Sequence, residues 1–99
     1  MIEKFRSKAL KVAMAGDVSK LVPQVARRIL GVLAVLDAAE SLEDVQPLTG
    51  FHALQSDREG EFAVTITRNW RITFTPISVK NEEGETEFHV TRVDYEDYH

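Results

Sequence analysis

The sequence predicts an α+β fold in which two N-terminal helices pack on a small antiparallel β-sheet. Two observations carry this. Apolar residues recur at helical spacing through the first forty residues. Beyond the helix-breaking run Pro47-Leu48-Thr49-Gly50 the apolar period falls to two. The 99 residues make one domain, large enough to bury a core without disulfide or metal staples.

Taken in order, residues 2–5 predict a short edge strand. Arg6 to Ala15 predicts a first helix, with Phe5, Ala9, Val12 and Ala13 on one side and Lys4, Lys8 and Lys11 lining another. Gly16-Asp17 ends it. Pro23 suits the first turn of a second helix, which runs to about Glu40. Its apolar stripe is Val25, Ile29, Val32, Leu33 and Leu36, with Arg27 and Arg28 on the outer side. Ser41-Leu42-Glu43-Asp44 reads as a capping box opening one more helical turn. Phe62, Val64 and Ile66 then alternate with polar or small residues, as do Trp70, Ile72 and Phe74. Arg68-Asn69 is the expected two-residue turn between these strands, with Asn69 tolerant of a left-handed conformation. Pro76 marks an edge position or an interruption. Lys80 to Glu85 is a solvated acidic loop, and a last strand follows from about Thr86 to Tyr95.

Composition narrows the function. The chain has no cysteine, which removes disulfide frameworks and cysteine-ligated zinc. No apolar run is long enough to span a membrane, and the N-terminus lacks a signal-peptide pattern, so a cytoplasmic protein is expected. The formal net charge is -4, unevenly placed: residues 1–40 hold seven Lys/Arg and four acids, residues 41–99 five and twelve. Net acidity argues against an indiscriminate nucleic-acid binder but leaves room for a basic patch in the first forty residues.

The candidates for chemistry are few. If Trp70, Ile72 and Phe74 face the helices, Arg71 points to the opposite face, where a guanidinium can grip a phosphate. A solvated arginine on a sheet face is the simpler alternative. His52 follows the break from helix to sheet, and a third histidine, His99, ends the sequence after Asp97-Tyr98. His89, in strict alternation, shares a face with Thr91, Val93 and Tyr95 and reads as structural or exposed. No histidine pair has helical ligand spacing, so neither a metal site nor a cofactor is expected. Arg58, in the polar turn Asp57-Arg58-Glu59-Gly60, either adds a second positive group near a phosphate or forms an internal ion pair. The Lys4, Lys8, Lys11 row is either a solvated face or a surface that attracts RNA phosphates.

Taken together these residues resemble the HigB branch of the RelE/ParE superfamily of bacterial toxins. The resemblance runs through Ile2-Glu3-Lys4-Phe5, Leu36-Asp37-Ala38-Ala39, His52-Ala53-Leu54, Asp57-Arg58-Glu59-Gly60, Asn69-Trp70-Arg71-Ile72-Thr73-Phe74 and Val93-Asp94-Tyr95-Glu96-Asp97-Tyr98-His99. The last two motifs, in this order in so short a chain, are the specific ones. The resemblance implies a RelE-like fold and a ribosome-dependent messenger-RNA endonuclease. It implies a HigA-type helix-turn-helix antitoxin as partner, with operator DNA reached only through that antitoxin.

The implied reaction needs no metal: a ribose 2′-OH attacks the adjacent phosphate and leaves a 2′,3′-cyclic phosphate. Carried over by position, His52 and His99 are the acid–base candidates and Arg71 the transition-state stabiliser. Asp97 would orient a histidine, and Tyr98 would stack on a base or donate a hydrogen bond. Lys4, Lys8, Lys11, Arg27, Arg28 and Arg58 would meet ribosomal or messenger RNA. Gln55 stands where the family commonly has lysine, and Glu59 where a basic residue is frequent. The alternative is a non-catalytic or weakened member that acts by binding proteins, including its antitoxin. A free ribonuclease independent of the ribosome ranks last, because the sheet half carries so few cations.

Overall fold

The computed structural model describes residues 1–98. These form helices α1 (Lys8–Met14) and α2 (Pro23–Ala38) and strands β1 (His52–Ala53), β2 (Phe62–Thr65), β3 (Trp70–Lys80) and β4 (Thr86–Asp97). The strands make one antiparallel sheet in the order β1-β2-β3-β4. This is the α+β architecture expected of a RelE-like toxin.

The N-terminal residues differ from the expected edge strand. They make two isolated parallel bridges to β4, Ile2 to Val90 and Phe5 to Val93. The Ile2 N–H donates instead to Asp37 Oδ1 on α2 at 2.9 Å, which takes it out of any ladder. Helix α1 starts two residues later than expected because Ser7 caps it: its Oγ accepts from the Leu10 N–H at 3.1 Å. Its buried residues are Leu10 and Ala13, so Leu10 belongs to the core stripe as well. Pro23 opens α2, whose buried residues Ile29, Val32, Leu33 and Leu36 are the expected stripe. The turn after it exists as a short 3-10 helix, Leu42–Asp44, without the expected box. Ser41 makes no side-chain cap, and Asp44 Oδ2 accepts from the Glu40 N–H.

Both long strands need a device that simple alternation does not contain. β3 continues through Pro76, which pairs with Val90. Its pairing with β2 ends at Phe62–Phe74, so on that side Pro76 lies at a free edge where no N–H is required. In β4 the register slips: Thr73 pairs with Asp94, but Thr75 pairs with Thr91. The extra residue is a bulge, and Arg92 takes the left-handed φ of 55°. Because of it Val90 and Val93, three apart, both reach the core. His89 therefore does not share a face with Val93 and Tyr95; it pairs with Ile77 and is 8% exposed. The β2–β3 turn also differs from expectation, since Asn69 is not left-handed. The Trp70 carbonyl accepts from both Ile66 and Thr67 N–H groups, and this bulge turns the chain instead.

One core lies between the helices and the sheet. Leu10, Ile29, Leu33, Leu36, Ile66, Ile72, Phe74, Val90 and Val93 are all at 0% exposure there. Each such side chain contributes roughly 1.5–3 kcal/mol of burial. No helix among the described residues is long and apolar enough to cross a membrane.

Candidate active site on the open sheet face

The helices cover one face of the sheet, so candidates for chemistry must sit on the other. Register decides which residues those are, because paired residues share a face and alternate ones return to it. His52 pairs with Ala63, Ala63 with Thr73, and Thr73 with Asp94; two residues along, Thr65 pairs with Arg71 and Arg71 with Glu96. His52, Arg71 and Glu96 thus share the open face. Two strand spacings and two residue rises put the His52 and Arg71 Cα atoms about 12 Å apart.

His52 is placed by its neighbours. The Gly50 backbone, at φ 69°, lies so close to β2 that a Cβ there would sit 2.0 Å from Thr65 Oγ1. Only glycine allows that approach. The Gly50 carbonyl then accepts from His52 Nδ1 at 2.8 Å. A carbonyl cannot donate, so Nδ1 carries the proton and Nε2 is the nitrogen left to exchange one. The two-residue strand β1 is anchored by aromatic packing: Phe51 stacks on Phe62 at 5.5 Å between centroids, and Phe62 on Phe74 at 6.0 Å.

Arg71 is largely buried and held on two sides. Its Nη2 donates to Glu96 Oε1 at 3.2 Å, and its guanidinium lies 4.5 Å from the centre of the Tyr98 ring. Tyr98 is fixed by its own N–H, which donates to the Asn69 carbonyl at 2.8 Å. Arg71 Nε is buried and has no hydrogen-bond partner.

Glu96 is the residue that sequence reasoning does not find. It joins Arg58, Arg71 and Thr73. Arg58 grips it with a fork, Nη1 to Oε1 at 2.8 Å and Nη2 to Oε2 at 2.6 Å, and the Thr73 hydroxyl donates to Oε2 at 3.1 Å. Arg58 also donates to both oxygens of Glu61. Hydrogen bonding to Arg58 above all holds the Glu96 carboxyl down at about 2, and that of Glu61 below its ordinary value. The same bonds hold Arg58 protonated still more firmly than usual. Of the two alternatives for Arg58, the internal ion pair is what forms. Arg6 is near enough to lower Glu61 further, a cation that the sequence pattern did not mark. The signal for Glu96 was its place two residues before Tyr98, on the face of Arg71, but only the bulge at Arg92 sets that phase.

A pH prediction follows from Glu96. Its folded value of about 2 lies below its ordinary 4.5. The stability it contributes is complete above pH 4.5 and is lost as the pH falls towards 2. That is on the order of a few kcal/mol, lessened by the partial exposure of the group. Melting temperature measured against pH should fall steeply in this window, and Glu96→Gln should flatten that limb. Equal slopes in the two proteins would refute the assignment.

The other candidates lie apart from this face. Asp97 pairs with Trp70 and by alternation belongs with Tyr95 on the helix side. Trp70 is partly exposed there, stacked on Tyr95 at 4.7 Å. Lys4, Lys8, Lys11, Arg27 and Arg28 are exposed. Arg28 is also tied down, donating from Nη1 to the Ile66 carbonyl. His89 lies about 20 Å along β3 and β4 from Arg71. Both its ring nitrogens are engaged, by Glu3 at 2.7 Å and Glu87 at 3.1 Å. His99 lies outside the described residues.

No family model matches the chain. It is 35% identical over 101 residues to Endoribonuclease HigB of Proteus vulgaris, with all of both chains covered.

Proposed function

The chain belongs to the HigB family of toxins, and from that membership we propose that it is an endoribonuclease that cleaves messenger RNA in the ribosomal A site and so halts translation. The observation that carries the reading is Arg71, a guanidinium positioned by Glu96 and Tyr98 on the sheet face that also carries His52. The reaction moves two protons. A base removes the proton of a ribose 2′-OH, the oxygen attacks the adjacent phosphorus, and an acid protonates the departing 5′-oxygen. The products are a 2′,3′-cyclic phosphate and a 5′-hydroxyl. His52, through Nε2, and His99 share these two roles. Arg71 stabilises the charge on the phosphorane, Asp97 orients or tunes a histidine, and Tyr98 stacks against the nucleotide. The exposed Lys8, Lys11, Arg27 and Arg28 on the two helices, with Lys4 in the segment before them, meet ribosomal RNA. The protein acts in the cytoplasm, without a cofactor. It is restrained by a HigA-type helix-turn-helix antitoxin, through which it also reaches operator DNA.

A second reading is favoured by one observation: Arg58 and Arg71 are matched by Glu61 and Glu96, so this network carries no net charge to offer RNA. A member acting only by binding its antitoxin would have no need of that charge. A translation assay with a defined message separates the two. Cleavage that appears only when ribosomes are present supports the first. Intact antitoxin binding without cleavage supports the second, and cleavage of purified RNA at physiological salt would remove the ribosome from the proposal.

A further inference from the structure

The bonds that Glu96 makes are unequal. Its two contacts with Arg58 are 2.8 and 2.6 Å, in the fork geometry that binds carboxylates best, while its one contact with Arg71 is 3.2 Å. Arg58 is itself steadied by Glu61, which takes two further hydrogen bonds from it. The carboxylate nearest Arg71 is therefore drawn towards another cation.

Without Arg58, the neighbours left to Glu96 are Arg71 and Thr73. A half-buried carboxylate would then close on Arg71 with both oxygens and cancel the charge that a phosphate must find. Resting on the endoribonuclease reading, we propose that Arg58 and Glu96 are a pair of positioning residues. Arg58 sequesters the Glu96 carboxylate, so that Glu96 orients Arg71 through one long hydrogen bond and leaves its remaining donors for the RNA phosphodiester.

This assigns Arg58 a role other than RNA contact, and the two roles differ in a double variant. If Arg58 touched phosphate, its loss would persist whatever stood at position 96. If it sequesters Glu96, removing the carboxylate's charge restores what the loss of Arg58 took away.

The experiment uses the full chain and ribosomes programmed with a defined message, with kcat and KM measured separately. Binding to an uncleavable RNA, 2′-deoxy at the cleavage position, is followed in parallel. Arg58→Met is expected to lower kcat/KM by roughly tenfold or more, with a matching loss of RNA affinity. Arg58→Met/Glu96→Gln is expected to return to within about threefold of the starting protein, although its melting temperature stays below that of the native chain. A merely structural network would move activity and melting temperature together, whereas sequestration restores kcat/KM and RNA affinity while the melting temperature stays low. If the native chain cleaves and the double variant stays as slow as Arg58→Met, the sequestration is wrong and the endoribonuclease reading stands. If the native chain neither cleaves nor binds, that reading falls and takes the inference with it.

Discussion

Replacing Arg71 by alanine is expected to abolish growth inhibition while leaving a folded protein. A guanidinium set against a phosphorane stabilises charge that exists fully only in the transition state, and removing one such donor costs about 10²–10³ in rate. The fold loses far less. Glu96 keeps its fork to Arg58 and its bond from Thr73, so no carboxylate is stranded. The unpartnered Arg71 Nε disappears with the side chain. What goes is the stacking under Tyr98 and one long ion pair, together about 1 kcal/mol. Growth after induction and a thermal melt of the purified variant read the two effects separately. Full toxicity in Arg71→Ala would remove this face from the mechanism. Arg71→Lys, which keeps the charge but not the planar fork, should retain only part of the activity.

Phe74→Ala is expected to have the largest effect on stability. Phe74 is at 0% exposure and ends the aromatic ladder with Phe62 and Phe51. A buried phenylalanine cut to alanine costs about 3–5 kcal/mol. A domain of this size has a total of roughly 5–15 kcal/mol. The variant should therefore unfold at much lower urea. The same ladder seats β1, so hydrogen exchange at His52 and Ala53 should quicken even under conditions where α2 remains protected. A loss under 1 kcal/mol, or unchanged exchange in β1, would show that the ladder is not what holds His52.

Legibility in the sequence followed the range of the interaction. The stripe on α2 and the alternation in β2 and β3 are local patterns, and the helices and strands stand where those patterns put them. Arg71's face was legible for the same reason, since Ile72 and Phe74 fix it within its own strand. Ser7 as a cap and Leu10 in the core were also local, but overshadowed by the lysine row beside them. The Arg58–Glu96–Arg71 network was hidden, because the partners are 38 and 25 residues apart. Their meeting depends on the β3–β4 register, and that register depends on one extra residue accommodated by a left-handed arginine. Nothing in the residue type at position 92 announces it. The two residues of β1 are too short for any period, and they are ordered by Gly50 and by the stacked phenylalanines.

The parallel bridges between the N-terminal segment and β4 have a consequence for how this chain is made. Ile2 and Phe5 are held by Val90 and Val93, contacts of very long sequence separation. At about 5–20 residues per second, the helices and first strands wait several seconds for the strand that completes them. That strand also brings Glu96 and Tyr98 to Arg71. Until β4 has paired with β3, therefore, the network that holds Arg71 is not assembled.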